Sequence, residues 1–234
     1  MLRDESRVLA IMMKAPRLGR VKTRLATVQP PERILTFYRA LVEDTIDLAR
    51  AIRVHAVAVC PAGDEIDVAG WLPNDIDVLS QQGVGLAAGL RSAFAQLCDS
   101  GRRVIAFNAD SPHLPPGTIE SAFDALLTDD LVVGPCDDGG YYLVGAKRPY
   151  PALFDATAMG RDSACATLLA EAARLRLSVA LSAEHYDIDL PTDMMRLAAD
   201  LAREPWRASR TATILAGWGL DGAYHPKAAS DHEH

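Results

Sequence analysis

The sequence contains no long apolar run. No segment approaches the roughly 20 consecutive apolar residues that a membrane-spanning helix needs, and residues 1–7 are followed by only a short apolar stretch. We therefore expect neither a signal peptide nor a membrane anchor, and we predict a cytoplasmic protein without a membrane partner.

Cysteine is scarce, and basic charge does not dominate. The four widely spaced cysteines form no Cys-x-x-Cys pair, which argues against a disulfide framework and a cysteine-based zinc site; they are Cys60, Cys98, Cys136 and Cys165. The 24 basic residues are outnumbered by 31 acidic ones, so the formal net charge is −7. Nucleic-acid binders usually carry a basic balance or a basic face. We expect reduced thiols and no nucleic-acid partner.

Short apolar runs alternate with helix-length amphipathic segments. Strands are predicted over residues 8–13, 54–59, 76–79, 104–107, 131–133, 141–144 and 178–181, with 141–144 belonging to a hairpin or a sheet edge. Helices are predicted over residues 32–51, 86–98, 118–127, 163–174 and 191–203. This alternation predicts an α/β domain with a mostly parallel sheet and helices on both faces. Periodicity weakens from Pro205, so we predict one domain over residues 1–204 and an extension with a loose polar tail over 205–234.

A basic loop follows the first predicted strand. Five cations and one glycine fall within residues 14–24 of an otherwise acidic chain: Lys14, Arg17, Gly19, Arg20, Lys22 and Arg24. A polyphosphate could bind to such a loop. Arginine guanidinium groups bind phosphate through two N–H groups, and lysine ammonium groups and backbone N–H groups add further contacts. A solvated surface loop is the competing interpretation, and charge alone gives the two about equal weight.

A glycine-rich stretch containing Gly83, Gly85 and Gly89 follows the third predicted strand. Its spacing is one residue longer than the dinucleotide-binding fingerprint. A turn into the next helix explains this spacing better than a cofactor site does. Gly83 and Gly85 remain candidates for close backbone contact with a nucleotide.

Carboxylates gather near the ends of later strands. Asp110 ends the strongest predicted strand, where ligands bind in open α/β sheets, although a cap for the next segment is a common alternative. Asp187 and Asp189 share one face of an extended segment because side chains alternate there. With Asp110 they offer hard oxygen ligands for Mg²⁺ or Mn²⁺. Asp193, in the first turn of a predicted helix, we interpret as structural.

Asp137 and Asp138 precede the pair Gly139-Gly140. Such a pair suits either a tight turn or the close approach of a ligand to the backbone. Three features together predict a phosphate and metal site: the basic loop, the strand-end carboxylate and the later carboxylate pair. Their combination is stronger evidence than any one of them alone.

These residues, in this order, resemble the glycosyltransferase-A-like family of small bacterial proteins of the arsenosugar-biosynthesis type. The resemblance covers about residues 8–201 and is carried by Lys14-x-Pro16-x-x-Gly19-x-x-Lys22-Thr23-Arg24-Leu25, Asp110-Ser-Pro112, Gly134-Pro135 with Asp138-Gly-Gly-Tyr-Tyr142, and Asp187-x-Asp189-x-Pro191-x-Asp193. It implies a Rossmann-like GT-A fold, a three-layer α/β/α sandwich with a mostly parallel mixed sheet. It also implies that residues 1–204 are a nucleotide-binding catalytic domain.

The chain is also similar to guanylyltransferases that activate phospholactate or phosphoenolpyruvate. That similarity implies that Asp110, Asp187 and Asp189 hold magnesium. The chain departs from the first family where residues 85–89 lack an expected arginine. It departs again where Met159-Gly160-Arg161 replaces a Trp-(Gly/Ser)-Thr motif.

Three functions remain open on these grounds. The leading hypothesis is a metal-dependent transfer of sugar from a nucleotide-diphosphate sugar to a small-molecule acceptor. In it Lys14, Lys22 and Arg24 bind phosphate, and Asp137 or Asp138 acts on the acceptor hydroxyl. The basic loop favours instead a nucleotidyltransferase that joins a nucleoside triphosphate to a small phosphorylated substrate. The two departures keep a non-catalytic nucleotide-binding protein as a third hypothesis, although the retention of Asp110, Asp187 and Asp189 argues against it. A symmetric homodimer is the default oligomer.

Overall fold

A seven-stranded sheet forms the centre of the fold. The computed structural model describes residues 4–98, 101–154 and 163–220. Its strands are β1 (Asp4–Met12), β2 (Val54–Cys60), β3 (Asp77–Ser80), β4 (Arg103–Asn108), β5 (Leu131–Pro135), β6 (Tyr141–Ala146) and β7 (Val179–Leu181). In space they run β3-β2-β1-β4-β6-β5-β7, and among them only β6 is antiparallel to its neighbours. The mostly parallel mixed sheet predicted from the sequence is confirmed.

Helices cover both faces of this sheet. They are α1 (Pro31–Ala51), α2 (Glu65–Trp71), α3 (Leu86–Leu97), α4 (Pro116–Ala125), α5 (Ala164–Arg174), α6 (Pro191–Arg203) and α7 (Ser209–Gly217). Alternate residues of β1 face opposite layers: Leu9 and Ile11 pack with α1, α2 and α4, whereas Val8 and Ala10 pack with α3 and α5. The result is the expected three-layer α/β/α arrangement.

The β5–β6 hairpin introduces the one antiparallel strand. The sequence predicts that residues 141–144 form a strand of a hairpin or an edge strand. The hairpin is confirmed, but β6 lies inside the sheet, between β4 and β5. Its buried run of apolar side chains explains why an interior position suits it.

Two helices were missed by the sequence analysis. Helix α2 buries only Val68 and leaves Ile66 exposed, so it has almost no helical apolar pattern. Helix α7 follows a short 3₁₀ helix (Pro205–Arg207) and packs with α6 against α1 through a third apolar cluster. Residues 205–220 of the predicted extension therefore pack on the sheet domain. Residues 221–234 of the predicted tail, and the motif at 159–161, lie outside the described residues.

Two further expectations can be compared with the described chain. All four cysteines are free thiols. No helix among residues 4–98, 101–154 and 163–220 is long and apolar enough to cross a membrane.

A buried carboxylate joins α7 to α1. Asp44 of α1 has a side chain only 3% exposed, and it pairs with Arg210. It also accepts hydrogen bonds from the backbone N–H groups of Thr211 at 2.9 Å and Arg210 at 3.2 Å. These donors belong to the first turn of α7, where helix N–H groups lack partners within the helix. Asp44 therefore caps α7 from another helix.

Replacing Asp44 with alanine should destabilise the protein. Loss of charged hydrogen bonds to buried donors costs about 2 kcal/mol, which lowers the melting temperature by about 4–8 °C in a chain of this size. Asp47→Ala is the matched control, because Asp47 also pairs with Arg210 but is exposed; its cost should stay below about 1 kcal/mol. Equal losses in the two variants would contradict the capping role.

Candidate functional site

The basic loop leaves the carboxyl end of β1 and is held at its start by a tyrosine. The backbone N–H of Lys14 donates to the Tyr38 hydroxyl at 2.9 Å, and that hydroxyl donates to the Lys14 carbonyl at 3.0 Å. The loop then bends at two residues with positive φ, Gly19 at 68° and Lys22 at 45°. A lysine in the left-handed region is uncommon and costs backbone energy, so its surroundings must hold it there.

Arg17 does not face the site. Its guanidinium pairs with Asp64 at 2.5 Å and Asp67 at 2.6 Å, both next to or within α2. The loop therefore offers fewer free cations than its composition suggests, because one of its arginines fixes the loop to the neighbouring helix.

Lys22 is the centre of the cluster. Its side chain is only 6% exposed, and its Nζ lies 2.6 Å from Asp110 Oδ2 and 3.1 Å from Asp189 Oδ1. Arg24 adds a second contact to Asp189, 3.2 Å from Oδ2, but its own side chain is 68% exposed. The structure thus brings the basic loop, the end of β4 and the segment before α6 together.

The charges of neighbouring groups shift the pKa values of Lys22 and Asp189. Burial alone would lower the pKa of Lys22, but the carboxylates of Asp110 and Asp189 outweigh burial and raise it. Burial would raise the pKa of Asp189, and the charge of Lys22 reverses that effect and lowers it. The contact between Lys22 and Asp189 thus favours the charged form of both groups.

The segment that carries Asp187 and Asp189 is fixed at both ends. Ser111, one residue after Asp110, donates its hydroxyl to the Tyr186 carbonyl at 3.0 Å. Asp193 accepts from the backbone N–H groups of Asp189 at 3.0 Å and Leu190 at 2.6 Å. The structural interpretation of Asp193 is confirmed: it caps α6 and holds Asp189 in place.

Asp187 lies beside this cluster and takes no part in the ion pairs described above. Burial, followed by the negative charge of Asp110, raises the pKa of Asp187 to about 7, and Lys22 only partly offsets them. No ion pair of Asp187 is found in the described part of the chain. A partly buried carboxylate among other carboxylates is a position that an added cation would stabilise.

A different compact set of potential metal ligands is also present. One ligand atom each from Cys136, Asp138 and Asp187 lie within 4.8 Å of one another. Within the same described residues, the predicted set of Asp110, Asp187 and Asp189 does not form so compact a group, and Lys22 lies between two of its members. Sequence analysis missed Cys136. Its position could have indicated a site residue, because Cys136 comes one residue after β5. The carboxyl ends of β5 and β4 lie at the same edge of the sheet.

The two neighbouring carboxylates after β5 differ in their partners. Asp137 is paired with Arg196, whose guanidinium lies 3.8 Å from the centre of the Tyr186 ring. Asp138 Oδ1 accepts from the Gly140 N–H at 2.8 Å, which leaves its second oxygen available. Of the two, Asp138 is therefore better placed to act on a ligand.

Gly83 and Gly85 lie beyond the end of β3, two strands away from β1. Both have positive φ, 84° and 88°, and a Cβ at Gly83 would meet that of Ala88 at 2.9 Å. Gly85 precedes the first residue of α3. The turn alone requires both glycines, and their predicted contact with a nucleotide stays a prediction.

Sequence comparison identifies the family. A profile of the bacterial family described as "Uncharacterized protein conserved in bacteria (DUF2064)" matches residues 45–161, which are half of the chain. The chain belongs to the DUF2064 family. No curated protein matches it in sequence.

Solved structures share the fold of this DUF2064 protein. A protein of Desulfovibrio desulfuricans G20, provisionally named a nucleotide-diphospho-sugar transferase, matches with a TM-score of 0.86 at 26% identity, over 93% of this chain and 97% of its own. CMP:2-keto-3-deoxy-manno-octonic acid synthetase, in complex with CTP, matches at 0.55 and 12% identity, over 86% and 100%. 4-Diphosphocytidyl-2C-methyl-D-erythritol synthase of Anaerococcus prevotii DSM 20548 matches at 0.52 and 11% identity, over 80% and 93%. The Rossmann-like fold is thereby confirmed, and its neighbours are of the nucleotide-sugar and nucleotidyl transferase kinds.

The raised pKa of Asp187 predicts a pH-dependent stability. The folded chain binds this proton more tightly than the unfolded chain, so Asp187 makes folding less favourable as the pH rises from 3.8 to about 7. Without added metal, Asp187→Asn should be more stable than wild type at pH 8 by about 1–2 kcal/mol, after allowance for partial exposure. The difference should shrink towards zero near pH 4, a value set by the same unperturbed pKa of 3.8.

Urea unfolding in EDTA at the two pH values measures this difference. Asp124→Asn, at an exposed position of α4, should show no such pH-dependent gain. A variant less stable than wild type at pH 8 would mean that the Asp187 carboxylate has a stabilising partner, contrary to the electrostatics described above.

Proposed function

We propose that this DUF2064 protein is a divalent-metal-dependent transferase that uses a nucleotide-diphosphate sugar to glycosylate a small-molecule acceptor. The observation that carries the proposal is the buried Lys22 between Asp110 and Asp189, next to the uncompensated Asp187, at the carboxyl ends of the strands. Ligands bind at this edge in open α/β sheets. The 26%-identical structure from Desulfovibrio desulfuricans supports a nucleotide-sugar donor.

The phosphate groups of the donor would bind to Lys14, Lys22 and Arg24. Lys14 is exposed, and its charge helps to lower the pKa of Asp189, so it lies within electrostatic range of the carboxylate cluster. Arg24 is exposed enough to turn towards a ligand and can bind a phosphate through two N–H groups. The acidic net charge of −7 supports a small nucleotide ligand over a polynucleotide.

The proposed ligands of the divalent cation are three carboxylates, although Lys22 lies between two of them. Asp110, Asp187 and Asp189 would supply the hard oxygen ligands that Mg²⁺ and Mn²⁺ prefer, and among the described residues Asp187 has no ion-pair partner. When bound, the cation supplies Lewis acidity and neutralises diphosphate charge. Lys22 would stabilise negative charge on the departing diphosphate from a position that is already buried and ordered.

On the acceptor side, Asp138 is our candidate for the group that orients or deprotonates the acceptor hydroxyl. It follows β5 next to Asp187, and one of its oxygens is free of the Gly140 contact. Asp137 would instead hold Arg196 over the Tyr186 ring. Asp137 is therefore a positioning residue in this proposal, and Asp138 is the base.

Nucleotidyl transfer is the second candidate, favoured by the basic loop. In that reaction the phosphate of a small substrate attacks the α-phosphate of a nucleoside triphosphate, and pyrophosphate leaves. Lys22 and Arg24 would then stabilise the pyrophosphate by position and charge. A non-catalytic nucleotide-binding protein is a third candidate, which the intact carboxylate and lysine cluster disfavours.

A thermal-shift panel of nucleotide sugars and nucleoside triphosphates, each with and without Mg²⁺ or Mn²⁺, tests the proposal. A ligand at about 100 times its Kd stabilises by about 2.7 kcal/mol, so the melting temperature should rise by about 5–10 °C. We expect this rise with a nucleotide sugar, only when metal is present. Asp110→Ala should abolish it, because the variant loses a metal ligand and a partner of Lys22.

Asp124→Ala, at an exposed carboxylate on α4, is the control and should respond as wild type does. A rise with triphosphates alone, followed by pyrophosphate release on adding a phosphorylated acceptor, would replace sugar transfer by nucleotidyl transfer. If no nucleotide stabilises the wild type, both catalytic candidates fail.

A further inference from the structure

A thiol points into the carboxylate cluster from the end of β5. Cys136 is only 4% exposed, and within the described residues its sulfur makes no hydrogen bond, unlike Cys60 and Cys98. Its sulfur lies within 4.8 Å of a carboxylate oxygen of Asp138 and of one of Asp187. The sulfur therefore lies at the border between the apolar core, to which Cys136 belongs, and the carboxylates of Asp138 and Asp187.

Backbone hydrogen bonds fix this group. The N–H of Cys136 donates to the Gly140 carbonyl at 3.0 Å, and the Gly139 N–H donates back to the Cys136 carbonyl at 3.1 Å. Cys136 also forms an isolated parallel β-bridge with His185, two residues before Asp187. The turn places Cys136 and Asp138, and the bridge places Asp187 beside them, before any ligand binds.

The spacing suits a small cation with mixed sulfur and oxygen ligands. Tetrahedral bonds of about 2.3 Å to sulfur and about 2.0–2.2 Å to oxygen place the ligand atoms roughly 3.4–3.6 Å apart. The three ligand atoms lie within 4.8 Å of one another, so each pair would have to approach by at most little more than 1 Å to reach this spacing. A thiolate favours zinc-like ions over magnesium, which prefers oxygen alone.

We propose that Cys136, Asp138 and Asp187 form a second divalent-cation site, selective for a borderline-soft ion of the zinc class. The site rests on the proposed function through two shared residues: Asp187, which the carboxylate set with Asp110 and Asp189 also uses, and Asp138, the candidate base. Three protein ligands leave a fourth position of a tetrahedral ion open to water or to a ligand oxygen.

Coordination by Cys136 changes its protonation. The S–H bond breaks, the sulfur–metal bond forms, and the proton passes to solvent. Metal binding at this site should therefore release the proton of the Cys136 thiol.

Cobalt(II) is the probe, because a cobalt–thiolate bond gives a near-ultraviolet charge-transfer absorption that carboxylates do not give. Titrated into the full chain without nucleotide, cobalt should produce this band in the wild type and in Cys165→Ser. Cys165 is the matched control, since it is another buried free thiol. The band should be absent in Cys136→Ser. Added Zn²⁺ should remove it from the wild type, and equimolar Mg²⁺ should not.

Asp138→Asn extends the test to an exposed residue, and the asparagine Oδ1 can still accept the Gly140 N–H. Its cobalt affinity should fall at least about tenfold, since even outer-shell partners of metal ligands are worth 10–100-fold. The proposal is overturned if the wild type shows no charge-transfer band, if the band survives in Cys136→Ser, or if Asp138→Asn binds cobalt as the wild type does. Failure of the proposed nucleotide function would appear separately, as the absence of nucleotide-dependent stabilisation.

Discussion

One buried ammonium group holds the candidate site together. Lys22 reaches the carboxylates of Asp110 and Asp189 from a loop that follows a different strand. Two ionised carboxylates at this distance repel each other strongly in a partly dry environment, and a lysine buried without them would lose its charge. The charged forms of Lys22 and Asp189 therefore depend on each other. The uncommon backbone conformation at Lys22 is the local cost of that arrangement.

The charge balance of the cluster also limits what can bind there. Lys22 offsets about one negative charge, whereas Asp110, Asp138, Asp187 and Asp189 could carry four. A phosphate ligand brings additional negative charge, so it needs cations beyond those of the basic loop. Anion binding and metal binding are thus coupled at this edge of the sheet.

The sequence predicted the strands and the site-bearing loops better than it predicted the partners of individual side chains. The runs at residues 8–13 and 104–107 are buried on both faces, so their apolar character alone identifies them. Helix α2 buries one side chain and gives no such signal. Asp110, Asp187 and Asp189 stand out as carboxylates after strands, but the insertion of Lys22 between two of them is a matter of tertiary geometry. Cys136 was overlooked because it resembles an ordinary buried thiol until Asp138 and Asp187 are placed around it.

The separation of the cluster along the chain has a consequence for biosynthesis. Lys22 and Asp189 are 167 residues apart in sequence, and Asp44 caps a helix whose first turn lies 167 residues further on, at Thr211. A chain emerging from the ribosome can therefore pair β1 with β2 long before either of these contacts exists. Lys22 can meet Asp110 earlier, but it cannot pair with Asp189 until all seven strands have been made. Chains that end before Asp189 would lack part of the charged cluster, so the complete cluster forms only when synthesis is nearly finished.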